Sequence, residues 1–201
     1  GYLPVWLLQS GVIQSAIAAD IHAGPLANAR QSAAAYDLEE RFRFVQADGL
    51  QFSGAQAADV ITIAGMGGET ICTILASAPW LRQGKRLVLQ PQSKVPELAD
   101  WLWHNGFTIE DAALCRDAGK RYLALRVLGR VAAQSCTVEQ LLLRHRDPLL
   151  PEHLKEEIRR QKRARAGMVH AKQTPEAALA ALDARLSELE TCLKEVQTWQ
   201  S

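Results

Sequence analysis

Polar residues that could bind a ligand end three predicted strands of this chain. Asp20 ends the strand predicted at residues 15–20, Asp48 ends the one at 41–48 and is followed by Gly49, and Gln90 ends the one at 86–90. In open α/β sheets, ligands bind outside the carboxyl ends of the strands. A carboxylate can accept both hydrogen bonds of a ribose diol or one from an adenine amino group, and a carboxamide can donate and accept toward a base.

Each of these residues also has a purely structural interpretation. Asp20 could cap the helix that follows it, and Asp48-Gly49 could form a simple turn. Gln90 could satisfy the backbone of its own loop. The residues alone leave both interpretations open.

The stretch 59–68 organises the predicted fold. It reads Asp-Val-Ile-Thr-Ile-Ala-Gly-Met-Gly-Gly, a β-branched run that stops at glycines, and a helical pattern begins near Glu69. Such a run predicts a strand buried on both faces of a parallel sheet. The glycines allow a tight turn and the close approach of another molecule, although they could also serve the turn alone.

Strands and helices alternate along the first two thirds of the chain. Helical patterns at 2–9, 24–37, 69–78 and 96–105 separate the strand patterns, and Pro91 is expected to break the strand at 86–90. Residues 107–115 and 121–128 predict a closing antiparallel pair. This alternation predicts a doubly wound α/β sheet.

Strand patterns disappear after Thr137, which with Gln140 resembles a capping box. Two long helical stretches follow, at 151–172 and 175–199, and their short link predicts an antiparallel hairpin. Leucines in the second stretch recur at heptad spacing, a pattern typical of a coiled coil within one chain or of a dimer interface. We therefore predict two domains, residues 1–132 and 133–201.

Basic residues concentrate in the C-terminal region. A face of this kind could contact nucleic acid phosphates or simply be solvated. The candidates are Arg144, Arg146, Lys155, Arg159, Arg160, Lys162, Arg163 and Arg165.

Composition sets broad limits on function. The chain has 201 residues, 48% hydrophobic and 22% charged, with a formal net charge of +1. Near-neutral charge gives no global argument for nucleic acid binding. The four cysteines are scattered, which favours a reducing compartment, and the histidines show no metal-ligand spacing. We expect no membrane span, and the start at Gly1 without methionine suggests that further residues precede it.

The order of the short motifs resembles one family. Gly-Tyr-Leu-Pro at 1–4, Ala-Asp at 19–20, Ala-Asp-Gly-Leu at 47–50, Ile-Ala-Gly-Met-Gly-Gly at 63–68 and Leu-Gln-Pro-Gln at 89–92 follow one another. This succession resembles the bacterial tRNA adenine-N1-methyltransferases called TrmK, which act at nucleotide 22. The resemblance implies a Rossmann-like class I methyltransferase fold with a C-terminal α-helical hairpin, S-adenosylmethionine as cofactor and tRNA as partner.

The resemblance also implies a site. Gly1 and Tyr2 would close the cofactor loop, although the family's preceding loop is absent from the sequence as given. Asp20 would hold the ribose and Ile21 would pack on adenine. The remaining implied cofactor-site residues are Asp48 and Gly49 at the adenine edge, and Ala64, Gly65 and Met66 between methyl donor and target base.

The chemistry needs no strong base, because the N1 lone pair of adenine can attack a sulfonium methyl without prior deprotonation. Positioning and exclusion of water should dominate. N1 lies on the pairing edge, so the nucleotide must be unpaired or flipped. Tyr2 and Met66 are our candidates for holding the base, and Gln90 for reading it.

The implied protein is cytoplasmic and a monomer or weak dimer, with neither metal nor membrane as a partner. Three alternatives stay open at this point. They are a class I methyltransferase for another nucleic acid or a small molecule, a non-catalytic α/β module that binds partners through its coiled coil, and, with less support, a nicotinamide oxidoreductase.

Overall fold

The computed structural model describes residues 1–131, 136–169 and 176–200. The strands are β1 (Ala16–Asp20), β2 (Phe42–Gln46), β3 (Val60–Gly67), β4 (Arg86–Ser93), β5 (Thr108–Asp117) and β6 (Lys120–Leu128). The helices are α1 (Tyr2–Gln9), α2 (Ala23–Ala34), α3 (Gly68–Ala76), α4 (Val95–His104), α5 (Val138–Arg144), α6 (Leu150–Val169) and α7 (Glu176–Gln197).

The strands form two sheets within the described residues, where one doubly wound sheet is predicted. β1 and β2 pair in parallel, and a second sheet has the order β3-β4-β6-β5. In the second sheet β3 and β4 are parallel, whereas β6 runs antiparallel to both β4 and β5. The predicted antiparallel closing pair is confirmed.

Two expectations for individual strands are wrong. β3 is buried on one face only: Ile61 and Ile63 are buried while Val60 and Thr62 are exposed. The helix α2 packs on β1 and β2, and α1 packs on α2, so both helices pack mainly with the first sheet. β4 also continues through Pro91, which pairs with Met66 where the register shifts, a place where a strand tolerates a missing N–H.

The two sheets have very different cores. Around the second sheet, residues of β3, β4, β6, α3 and α4 form one apolar cluster that extends into α5, α6 and α7. Beside the first sheet, a separate cluster contains only Val5, Leu8 and Leu38 as buried members.

The C-terminal helices form the predicted antiparallel pair. Ion pairs join Lys162 to Glu190 and Arg165 to Asp183. The later residue of α6 thus contacts the earlier residue of α7, as in an antiparallel pair. Leu186 and Leu189 of the leucine repeat are buried in the core of this one chain. Packing within the chain accounts for these two leucines, whereas Leu179, Leu182 and Leu193 are half-buried, and coiled-coil geometry stays a prediction.

Local capping and tertiary contacts anchor this region. The predicted capping box is present: the Gln140 amide donates to Thr137 Oγ1 at 3.2 Å and the Thr137 amide to Gln140 Oε1 at 2.9 Å. The amide of Leu114 in β5 donates to Asp147 Oδ2 at 2.9 Å. The predicted domain boundary between residues 132 and 133, the hairpin link and the Pro175 helix start lie outside the described residues.

Candidate active site at the strand ends

The predicted ligand-binding residues lie at the carboxyl ends of parallel strands. Asp20 ends β1, and Asp48 follows β2 by two residues. The segment Ala64–Gly67 ends β3, and Gln90 lies inside the longer β4, three residues before its end. Parallel pairing within each sheet places each pair of ends at a common edge.

Asp20 forms a local turn contact and leaves its second oxygen open. Its Oδ1 accepts a hydrogen bond from the His22 amide at 2.8 Å. His22 is itself the N-cap of α2, and among the described residues no side chain caps that helix, so the capping interpretation of Asp20 is wrong. The other Asp20 oxygen accepts no hydrogen bond within the described residues. Ile21 beside it is 53% exposed, which offers an apolar surface next to the carboxylate. This pair therefore fits a ribose diol with an attached base.

Gly49 lies against the side chain of Ile74, whereas its implied place at the adenine edge would leave open space beside it. Its φ of +54° favours glycine, and a Cβ at this position would lie 3.1 Å from Ile74 Cγ2. Leu50 packs against the main core. Gly49 therefore allows the β2–β3 loop to contact α3, which ties the first sheet to the larger unit, while the exposed Asp48 stays available.

Gly65 forms an irregularity at the end of β3. The pairing of β3 with β4 shifts register between Ala64 and Met66, and Gly65 has a φ of +78°. Its amide donates to Gln90 Oε1 at 2.9 Å, so a side chain supplies the acceptor at this point. Ala64 and Gly65 are exposed, and Met66 is 37% exposed. The turn therefore presents backbone and one thioether to solvent.

Gly68 permits a close approach of backbone. A Cβ there would lie 2.6 Å from the carbonyl oxygen of Lys94, and Lys94 itself has a φ of +56°. The first turn of α3 thus packs on the β4–α4 connection without an intervening side chain. This contact fixes the position of the Gly65 turn relative to β4.

Gly1 and Tyr2 lie on the first sheet's side. A Cβ at Gly1 would meet Ala29 Cα of α2 at 2.7 Å, and Tyr2 is 83% exposed. Within the described residues, no hydrogen bond or ring contact joins Tyr2 to Met66 or Gln90. The proposed association of Tyr2 with those two residues stays a prediction.

A cleft of about 910 Å³ opens beside the end of β4. Gln92, Trp103 and Lys120 line it, as do residues of β5, β6 and α6. Sequence reasoning assigned none of these three a role, although Gln92 stands in the motif at 89–92. The signal that could have found Gln92 is its place beside Pro91 at a strand end.

The predicted basic surface divides into two sets. Arg160 pairs with Glu157 at 2.6 Å, Lys162 with Glu190 at 2.7 Å and Arg165 with Asp183 at 2.5 Å. Lys155, Arg159 and Arg163 are exposed, and none forms a salt bridge within the part of the chain that the structure describes. Arg144 donates to Cys136 Sγ at 3.3 Å, and Arg146 has a φ of +50° after α5.

Lys155, Arg159 and Arg163 are spaced four residues apart, so they follow one face of α6. We call these three residues the open stripe. The buried residues Leu154 and Ile158 define the opposite, core-facing side of the same helix.

Ion pairs join β6 to α6 beside the cleft. Arg121 contacts Glu152 at 3.0 Å and also contacts Glu156. The hydrogen bond and charge of Arg121 lower the pKa of Glu156. Burial lowers the pKa of His153 in the same region, which favours its neutral form.

No helix among the described residues is long and apolar enough to cross a membrane. Within these same residues, no group of three or more histidine, cysteine or acidic side chains is placed to hold a metal ion.

Residues 1–191 match the model of the TrmK family, described as tRNA (adenine(22)-N(1))-methyltransferase. The chain belongs to this family. A TrmK-family relative from Bacillus subtilis, a tRNA (adenine(22)-N(1))-methyltransferase, is 34% identical over 125 residues, which are 62% of this chain and 52% of that protein. The chain therefore matches about half the length of this relative.

Solved structures agree with the family assignment. Streptococcus pneumoniae Sp1610, a putative tRNA (m1A22) methyltransferase, is 28% identical with a TM-score of 0.77, and the match covers 96% of this chain and 87% of that one. A second structure of Sp1610, in complex with S-adenosyl-L-methionine, has a TM-score of 0.76 at the same coverage. These similarities confirm the predicted Rossmann-like methyltransferase fold for this TrmK-family chain.

Proposed function

We propose that this chain transfers a methyl group from S-adenosylmethionine to N1 of the adenine at nucleotide 22 of tRNA. The observation that carries the proposal is the turn at the end of β3, where Ala64, Gly65 and Met66 are exposed, in a chain that matches the TrmK family over residues 1–191. A cytoplasmic location follows from the same family.

The strand ends fit the methyl donor. The Asp20 carboxylate has one oxygen free for the ribose, and Ile21 provides an apolar surface for the base. Asp48 is exposed at the neighbouring strand end, where it would meet the adenine edge. Gly1, Tyr2 and Gly49 would complete this side of the site. Bound S-adenosylmethionine supplies the methyl group on a sulfonium sulfur.

The Gly65 turn suits the transfer itself. Ala64, Gly65 and Met66 bring backbone and one flexible side chain to the gap between donor and target, so the planar adenine can approach the sulfonium methyl closely. The reaction needs alignment of N1 with the methyl carbon rather than proton removal. Met66 is placed to hold the flipped base, and Tyr2 is assigned the same role.

The role of Gln90 is revised by its contacts. Its Oε1 accepts the Gly65 amide and its Nε2 donates to the Pro91 carbonyl at 3.3 Å. We assign it the task of holding the Gly65 turn in place, as a positioning residue rather than a reader of the base.

The open stripe is the strongest part of the predicted tRNA surface. Unpaired cations can neutralise phosphates directly, whereas Arg160, Lys162 and Arg165 would first have to break ion pairs. Arg144 and Arg146 are assigned to the same surface near α5. The proposed state in solution is a monomer or weak dimer, because Leu186 and Leu189 of the leucine repeat are buried within one chain.

The test uses the full-length gene product, labelled S-adenosylmethionine and an unmodified bacterial tRNA. Digestion to nucleosides should give label in 1-methyladenosine, and replacing the adenine at nucleotide 22 by guanine should abolish it. Cofactor binding without this product would point to a methyltransferase for another substrate. Absence of both would support a non-catalytic partner-binding module.

A paired set of variants tests the tRNA surface. The triple change K155A/R159A/R163A should weaken tRNA binding and reduce the salt slope of log Kd by about 2 to 3, since each lost phosphate contact removes roughly 0.7–0.9. The matched control R160A/K162A/R165A removes the same charge from the ion-paired set and should have a smaller effect. If both triple variants weakened tRNA binding equally, the ion pairs would not distinguish the two sets of cations.

A further inference from the structure

Gln90 and Gln92 flank Pro91 in β4, but only one of their carboxamides is engaged by the protein. Both ends of the Gln90 side chain are hydrogen-bonded, to the Gly65 amide and the Pro91 carbonyl. Gln92 is exposed, and its carboxamide forms no hydrogen bond within the described residues.

The Gln92 carboxamide lies beside the Gly65 turn. A Cβ built on Gly65 would be 3.9 Å from Gln92 Nε2, the nearest atom recorded at that position. Gly65 therefore leaves the Gln92 amide facing the space that the turn opens. Gln92 also lines the cleft with Trp103 and Tyr122.

We propose that Gln92 recognises the target adenine through its N6 amino group and N7. The proposal rests on the proposed function, which makes adenine N1 the methyl acceptor. Carboxamide side chains bind adenine with two hydrogen bonds on this edge, accepting from N6 and donating to N7. A contact with N1 itself would occupy the lone pair that attacks. Binding on the N6/N7 edge leaves N1 free.

The same contact favours the transition state. A bond forms between N1 and the methyl carbon while the carbon–sulfur bond breaks, and its electron pair remains on sulfur as a neutral thioether. The adenine gains the positive charge, and no proton moves in this step. Its N6 hydrogens become better donors, so the hydrogen bond to Gln92 Oε1 strengthens as the reaction proceeds.

Gln92 also discriminates against guanine. Guanine presents acceptors at both O6 and N7, so a carboxamide can satisfy only one of them with its amide group. Its oxygen would then face O6 or remain unpaired, which costs binding free energy in a desolvated site.

The experiment measures kcat/KM for the full-length wild type and Gln92→Ala, with tRNA that carries adenine or 7-deazaadenine at nucleotide 22. We expect Gln92→Ala to lower kcat/KM by about 10- to 100-fold, the range of a bidentate base contact. The deaza substitution should lower the wild-type value, and it should have little further effect in Gln92→Ala because the N7 contact is already lost.

Two further variants separate this role from a structural one. Gln92→Glu keeps the acceptor for N6 and loses the donor for N7. The ratio of its kcat/KM to that of the wild type should therefore be higher on the deaza substrate than on the adenine substrate. Gln90→Ala should disturb the Gly65 turn and lower the rates on both substrates by the same factor. S-adenosylmethionine affinity and thermal midpoint should be unchanged in Gln92→Ala.

The possible failures are distinguishable. If the Gln92→Ala and deaza effects multiply independently, or if Gln92→Ala is fully active, Gln92 does not contact the base and the inference is wrong while the proposed function stands. If the wild type forms no 1-methyladenosine, the proposed function fails and the inference fails with it.

Discussion

The two halves of the candidate site pack on apolar cores of very different size. The β1–β2 half carries Asp20 and Asp48 beside a cluster whose buried members are only Val5, Leu8 and Leu38. The β3–β4 half carries the Gly65 turn and the glutamines above the large core that continues into the C-terminal helices. Because the second half buries far more apolar surface, it should resist local opening more strongly.

The two halves have different tasks in the proposed reaction. The proposed methyl-donor side uses free carboxylate oxygens on a lightly buried sheet, which can adjust around a ligand. The proposed target-base side uses backbone conformation, glycine contacts and a buried strand, which hold a fixed geometry. In-line transfer requires accurate positioning at the second side above all.

The largest expected effect comes from the large core. Leu89 of β4 is fully buried, so Leu89→Ala should lower the free energy of unfolding by about 3 kcal/mol, measured by urea denaturation. Leu8→Ala is the matched control in the small cluster. It should increase the hydrogen exchange of β1 and β2 more than that of β4. If exchange increased equally in both sheets, the two halves would not differ in their resistance to opening.

The glycine contacts of the β3–β4 half give the second prediction. Gly68→Ala should destabilise the protein by about 2 kcal/mol and lower methyl transfer, because its Cβ would collide with the Lys94 carbonyl. Among the described residues, none outside the adjoining helix backbone lies within 4 Å of a Cβ at Gly167, so Gly167→Ala in α6 should stabilise the protein by about 0.5–1 kcal/mol. A Gly68→Ala protein with wild-type stability would show that the close approach is not required.

Asp20 gives a prediction for the donor half. Asp20→Asn keeps a side-chain oxygen for the His22 amide but loses the charge, so S-adenosylmethionine affinity should fall about tenfold with little change in thermal midpoint. Calorimetric titration measures the affinity. Ser32→Ala, on α2 of the same half, is a control, because the Ser32 hydroxyl donates to the nearby Asn28 carbonyl and has no other hydrogen-bond partner in the part of the chain that the structure describes. An equal loss of affinity in Ser32→Ala would contradict the assignment.

The smallest effect concerns pH. Burial lowers the pKa of His153, so the unfolded state binds a proton first as pH falls below about 6.5. Stability should therefore decrease as the pH falls below about 6.5, and His153→Gln should flatten this slope. Glu156 has a lowered pKa, so its contribution to the free energy of unfolding is present above about pH 4.3 and is lost as the pH falls below that value. Urea denaturation at a series of pH values separates the two, and an unchanged slope in His153→Gln would contradict the assignment to His153.

Much of the fold could be predicted because local patterns specify it. Each predicted strand has a counterpart in the structure, and the capping box at Thr137 is confirmed, since hydrophobic alternation and capping depend on residues close in the chain. The burial of β3 and the continuation of β4 past Pro91 could not be predicted. They depend on which helices cover a sheet face and where two strands change register.

The candidate site shows the same division. The sequence by itself determined that acids, glycines and glutamines follow successive strands, and that cations and a leucine repeat occupy the C-terminal helices. Only the tertiary structure decided that Gln90 accepts the Gly65 amide while the Gln92 carboxamide has no hydrogen-bond partner among the described residues, and that α7 supplies the acids that pair with Lys162 and Arg165 of α6. The physical reason is that a side chain's availability depends on partners about 20 or more residues away, whose positions are fixed only when strands pair and helices pack.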